Sequence, residues 1–163
     1  MSRMHGRGAT PVGEIDSLPP VELATVVCMR LWCDGTEARD GLRREATRSL
    51  GPGFGPEWTE ALGNFLDVMS HFGRRPILRH AIGCRCLGAD ECAVATMVAA
   101  ATAGEREDAM LIGMLLVRPD MAPSLASLAE TVGLGLKRMS VPAPRPPAGA
   151  SGATLHPVHP TRH

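Results

Sequence analysis

The sequence predicts an all-α fold, a compact bundle of five or six helices with a Cys/His-containing loop and disordered termini. Three observations predict this fold. Between residues 18 and 139, apolar residues recur every three or four positions, alternating apolar and polar stretches are absent, and glycine or proline interrupts the pattern between the apolar segments. With 163 residues and 44% hydrophobic content, the chain is long enough for one domain with a core.

Two helices are predicted in the first third of the chain. Pro19 and Pro20 open the first helix, because proline is tolerated in a first helical turn, and the Asp-Gly pair at 34–35 ends it. Its apolar face consists of Leu23, Val27 and Leu31. A more polar second helix is predicted from Thr36 to Leu50, before the GPGFGP sequence breaks the chain.

The third helix is predicted to follow Pro56, and it carries the clearest apolar stripe of the chain. The stripe consists of Trp58, Leu62, Phe65, Leu66, Met69 and Phe72. A loop is predicted over residues 73–88. Asp90 is the predicted N-cap of a fourth helix, which runs to about Ala103 and is expected at the centre of the bundle. Its apolar positions are Val94, Met97, Val98 and Ala101.

A fifth helix is predicted over residues 105–117, and a sixth begins at Asp120. The apolar face of the sixth helix consists of Met121, Leu125, Leu128, Val132 and Leu136. The helical domain is therefore predicted over residues 17–139. Residues 1–16 are predicted to be a flexible arm. Residues 140–163 are predicted to be a disordered Pro/Gly/Ala-rich tail, because they bury too little apolar surface to offset the entropy of ordering.

The composition predicts a cytoplasmic protein. Residues 1–14 have no apolar segment typical of a secretion signal, and the longest strongly apolar run, residues 109–117, is shorter than the roughly 18 to 20 residues that span a bilayer. No membrane helix is expected. In a reducing compartment, five cysteines are expected to be free thiols or metal ligands rather than disulfides.

The candidate site is the segment HAIGCRCLGADEC at residues 80–92, which holds three of the five cysteines. His80, Cys84, Cys86 and Cys92 form an H-x3-C-x-C-x5-C array, and structural zinc takes four ligands from imidazole and thiolate. Cys92 is expected in the first turn of the fourth helix, where the helix dipole favours a thiolate. We therefore predict zinc at these four residues. An iron-sulfur cluster is less favoured, because fewer than the usual four cysteines lie nearby.

Other interpretations of the cysteines stay open. The spacing departs from the familiar C-x2-C pattern, so the three cysteines can also be ordinary loop and core residues. They can also form a thiol-based redox sensor, with metal incidental. His71 is the second choice for the histidine ligand and would take the place of His80. Cys28 and Cys33 lie about 140° apart round one helix and are predicted to pack in the core.

Arginine clusters at residues 43–48 and 74–85 suggest a further alternative, a helical DNA-binding regulator. Nucleic acid is nevertheless not the expected partner, because the formal net charge is zero. The chain also has only one lysine, so its arginines reflect a general preference for arginine over lysine. The histidines at 156, 159 and 163 lie in the predicted tail, where nothing holds them in a fixed geometry.

The sequence favours a non-enzymatic function. It contains no G-x-S-x-G elbow, P-loop, G-x-G-x-x-G or H-E-x-x-H motif. A Cys3His set would also fill all four zinc positions and leave none for substrate. We therefore expect a regulatory or adaptor protein that contacts another protein or a second copy of itself.

Overall fold

The computed structural model describes residues 7–140 and contains six α-helices, which confirms the predicted helical bundle. The helices are α1 Pro20–Trp32, α2 Thr36–Leu50, α3 Phe54–Phe72, α4 Ala89–Ala103, α5 Arg106–Leu116 and α6 Ala122–Ser140. Residues 1–6 of the predicted arm and 141–163 of the predicted tail lie outside the described residues. Ser140, the first residue assigned to the tail, is the last residue of α6.

The helix ends follow the glycines and prolines of the sequence. Gly35, Gly51 and Gly104 have positive φ angles of 113°, 91° and 84°, a region that glycine enters without steric cost. Helix α3 begins at Phe54, three residues earlier than predicted, and Pro56 lies in its first turn. Proline is accommodated there because the first amides of a helix have no partner within the helix.

The central element of the bundle is α4, which packs against α1, α5 and α6. Its predicted apolar positions, Val94, Met97, Val98 and Ala101, are all buried. Trp58 of α3 is fully buried, and its indole Nε1 donates a 2.9 Å hydrogen bond to the Val132 carbonyl of α6. At Gly135 the two helices approach so closely that a Cβ there would overlap the Trp58 ring.

Residues 7–16 differ from the predicted flexible arm. Strand β1, Pro11–Glu14, pairs antiparallel with strand β2, Cys86–Gly88, and Glu14 lies opposite Cys86. The register shifts between Pro11 and Gly13. All four β1 residues are exposed, so the strand has no alternating apolar pattern that the sequence could show. Within residues 7–140, no helix has both the length and the apolar character needed to cross a membrane.

Candidate functional site

A buried ion pair joins α1 to the start of α4 behind the cysteine-bearing loop, residues 80–88. Arg30 of α1 is 1% exposed and Glu91 of α4 is fully buried. The guanidinium meets the carboxylate through two hydrogen bonds, Nε to Oε1 at 2.7 Å and Nη2 to Oε2 at 2.9 Å. A fork-on-fork contact of this kind fixes the relative orientation of the two side chains as well as their distance.

The remaining Arg30 donors hold the backbone of the loop. Nη1 donates to the carbonyl oxygens of Ala81 at 3.2 Å and Cys84 at 2.6 Å, and Nη2 donates to the carbonyl oxygen of Cys86 at 2.7 Å. With the two bonds to Glu91, these contacts use all five N–H donors of the guanidinium. We call Arg30, Glu91 and their loop contacts the Arg30–Glu91 clamp.

Glu91 holds the two ends of the same loop. Its carboxylate accepts the backbone N–H groups of His80 at 3.0 Å and Gly88 at 2.9 Å, and it lies 3.1 Å from Nδ1 of the His80 ring. Burial alone would raise the pKa of Glu91, but the hydrogen bonds from Arg30, Gly88 and His80 outweigh it and lower the pKa to about 2. The carboxylate is therefore ionised at neutral pH.

Asp90 makes a second ion pair on the other side of the loop. It accepts hydrogen bonds from Arg75 at 2.6 and 2.8 Å and from the Leu78 backbone N–H at 2.8 Å. Burial raises its pKa, and the bonds from Arg75 and Leu78 lower it by more. Asp90 is not the N-cap that we predicted: α4 begins at Ala89 after Gly88, whose N–H is bound by Glu91.

The structure brings together two of the four predicted ligands. Hydrogen bonding to Cys84 and the charge of that thiol raise the pKa of the Cys86 thiol above its usual value. Both side chains are partly exposed to solvent. The backbone carbonyls of both residues accept hydrogen bonds from Arg30, and these bonds hold the backbone of the two cysteines in place.

The other two predicted ligands have different surroundings. His80 is held through its Nδ1 by Glu91, and its ring lies against Gly88. Cys92 packs against a small apolar cluster that contains Val26 and Leu87. Among residues 7–140, no group of three or more His, Cys, Asp or Glu side chains is placed to hold a metal ion. The four residues are near one another in the chain but do not form a ready zinc site, so zinc stays a prediction.

The remaining cysteines and His71 lie away from the loop. Cys28 is buried in the main core as predicted, and burial raises its pKa to about 12. Cys33 is exposed at the end of α1, so the prediction that it packs in the core is wrong. His71 is exposed, and its Nδ1 lies 2.8 Å from the Asp67 carbonyl of its own helix. It therefore does not replace His80.

The arginine clusters behind the DNA-binding hypothesis are partly neutralised. On α2, Arg43 pairs with Asp40 and Arg48 pairs with Glu45. Arg85 of the loop lies 2.8 Å from Asp16. No contact within the described part of the chain favours the DNA-binding hypothesis.

Sequence reasoning missed Arg30 and Glu91, although a signal was present. Arg30 lies four residues after Val26, on a helix face that is otherwise apolar, and a buried guanidinium requires a carboxylate partner. Glu91 occupies the third position of α4, where a carboxylate can accept the N-cap amide.

Comparison with models of protein families, with curated proteins and with solved structures finds no match to this chain.

Proposed function

We propose that the protein is a regulatory protein whose Cys84–Cys86 pair acts as a reversible dithiol switch. The single observation that carries the proposal is the placement of two thiols two residues apart on a loop whose carbonyls, at both cysteines, are bound by Arg30. Two thiols this close in the chain can form a disulfide by a local rearrangement. Partial exposure lets a small oxidant reach them.

The reaction balances with a peroxide as oxidant. Cys84, as the thiolate, attacks a peroxide oxygen, since the raised pKa of Cys86 keeps that residue as the thiol; the O–O bond breaks, and the products are a sulfenic acid and, after proton uptake, water. The second thiol attacks the sulfenic sulfur, the S–S bond forms and a second water leaves. Two electrons pass from the two sulfurs to the peroxide. A cellular thiol can reverse the change through a mixed disulfide.

Oxidation is expected to alter the surface around the loop. A disulfide fixes the S–S distance at about 2.05 Å and restricts the separation of the two Cα atoms, so it constrains the backbone between Cys84 and Cys86. The same backbone accepts hydrogen bonds from Arg30, and Cys86 pairs with Glu14 of β1. Ile82, 41% exposed, lies in the loop beside these contacts. We infer that a protein partner distinguishes the two redox states at this surface.

The test is controlled oxidation of the full-length reduced protein. Hydrogen peroxide at a low molar excess should form an intramolecular disulfide between Cys84 and Cys86, detected by peptide mass spectrometry as a loss of two hydrogens that dithiothreitol reverses. Cys84→Ser should abolish this product. Cys33→Ser is the matched control, because it removes an exposed thiol elsewhere on the protein, and it should leave the product unchanged.

Two results would contradict the switch. One is a disulfide or an irreversible oxide that forms at Cys33 before Cys84 and Cys86 react. The other is a stable complex of the purified untagged protein with one equivalent of zinc that shields the loop thiols from peroxide until chelator is added. This second result would support a metal site instead of a redox switch.

Zinc binding at His80, Cys84, Cys86 and Cys92 is the second candidate, and one contact favours it. Metal-bound histidines usually donate their other ring nitrogen to a carboxylate, and Nδ1 of His80 lies 3.1 Å from Glu91. This contact leaves Nε2 of His80 as the nitrogen that could bind an ion. A zinc site would require Cys92 to leave its apolar neighbours and join the thiol pair.

A further inference from the structure

A cleft of about 570 Å³ opens beside the clamp, between the ends of α1 and α3 and the segment 73–79. Its volume lies within the range of small-molecule pockets. The apolar part of its wall includes Met29, Leu66, Met69 and Ile77. Methionine side chains adapt to ligands of different shape, because they are unbranched and polarizable.

The polar part of the wall is cationic. Arg74, Arg75 and Arg79 line the cleft, and no Asp or Glu does. Arg75 is already paired with Asp90. Arg74 donates from Nε to the Val117 carbonyl at 3.2 Å, and Arg79 donates from Nη2 to the carbonyl of Cys33, just after α1, at 2.9 Å. Within residues 7–140, neither Arg74 nor Arg79 has a carboxylate at ion-pair distance, so two positive charges stand uncompensated at the cleft.

The walls of the cleft are held in place without a ligand. The Arg74 backbone N–H donates to the Leu116 carbonyl at 3.0 Å, and the Arg118 N–H donates to the Phe72 carbonyl at 3.1 Å. At the other end of the segment, Asp90 binds the Arg75 side chain and the backbone of Leu78. A ligand would therefore find the cleft largely formed, which lowers the entropy cost of binding.

We propose that this cleft binds a small amphipathic carboxylate, a molecule with one anionic headgroup and an apolar body. Arg74 and Arg79 bind the carboxylate, and the methionine-lined wall buries the apolar part. The segments outside residues 7–140 contain no Asp or Glu, so their side chains do not complement these arginines. The site is separate from the Cys84–Cys86 pair, neither of which lines the cleft.

The experiment uses decanoate below its micellar concentration and the full-length protein. Decanoate should bind saturably in isothermal titration calorimetry. Decanol, which lacks the charge, and inorganic phosphate, which lacks the apolar body, should each bind at least about tenfold more weakly. Decanoate should also slow the alkylation of Cys33, which lines the cleft, without slowing that of Cys84.

Variants locate the headgroup. Arg74→Gln combined with Arg79→Gln should weaken decanoate binding about tenfold or more, whereas the corresponding double lysine variant keeps the charge and should bind within a few-fold of the wild type. Arg44→Gln is the matched control, because it removes an exposed arginine from α2, away from the cleft, and should change nothing.

Three outcomes would overturn the proposal: equal affinities for decanol and decanoate, unchanged affinity in the double glutamine variant, or no protection of Cys33. Binding to phosphatidylglycerol vesicles without binding to monomeric decanoate would also overturn it and would assign the arginines to a membrane surface. All of these readouts are independent of peroxide chemistry, so failure here leaves the dithiol switch standing.

Discussion

Replacing Arg30 with methionine is expected to lower the free energy of unfolding by about 3 to 5 kcal/mol, the usual cost of removing one partner of a buried ion pair. The substitution leaves Glu91 charged and buried and removes the donors to three loop carbonyls. Urea unfolding followed by tryptophan fluorescence measures the loss. Arg48→Met is the matched control: Arg48 is 76% exposed in its pair with Glu45, so its loss should leave the free energy of unfolding nearly unchanged.

The clamp should not be replaceable by two apolar residues. A double variant, Arg30→Met with Glu91→Leu, removes both charges but leaves the amides of His80 and Gly88 and the loop carbonyls without partners. We therefore expect it to remain as unstable as the single variant. If Arg30→Met costs no more than Arg48→Met, or if the double variant regains wild-type stability, the clamp does not stabilise the fold.

The clamp also makes stability depend on acid. The folded-state pKa of Glu91, about 2, lies below its ordinary value of 4.5. At 1.36 kcal/mol per pKa unit, this difference corresponds to about 3 kcal/mol of the free energy of unfolding. The contribution of Glu91 is therefore complete above pH 4.5 and is lost as the pH falls towards 2. The measurement is urea unfolding at a series of pH values, in which Glu91→Gln should show a shallower loss between pH 4.5 and 2 than the wild type. Parallel curves for the two proteins would contradict the assignment.

Phe65→Ala should cost about 3 to 5 kcal/mol, because the ring is only 1% exposed at the centre of the α3 stripe and its removal leaves a cavity. The same urea experiment measures this loss. Leu115→Ala is the control, because Leu115 is 73% exposed on α5 and should change stability by no more than about 0.5 kcal/mol. A loss below about 1 kcal/mol for Phe65→Ala would mean that the α3 stripe is not the core.

The helices could be predicted because the sequence marks them locally. The bounds of α2 and the end of α4 are as expected, since glycines follow Leu50 and Ala103 and can take positive φ angles. Strand β1 could not be predicted, because it exists only by pairing with residues more than seventy positions later. Periodicity reports which face of an element is buried and says nothing about such distant pairing.

The sequence predicted where the site lies in the chain but not how its residues contact one another. The loop and its cysteines lie where the sequence suggested, and the influence of Cys84 on the pKa of Cys86 follows from their spacing. The start of α4 did not follow, because Glu91 rather than a side chain at the N-cap position binds the Gly88 amide. Asp90 is therefore released to hold Arg75, and Cys92 packs in an apolar cluster.

The Arg30–Glu91 clamp makes the cysteine loop part of the same cooperative unit as the bundle. Its three anchors lie on α1, on the loop and on α4, so the loop cannot open alone without breaking hydrogen bonds of a buried ion pair. The contacts also span more than fifty residues, so they form only after a long segment has closed. The two thiols therefore lie on a fixed backbone only in molecules that have completed folding, whereas nascent or partly unfolded chains present the same two thiols on a flexible backbone.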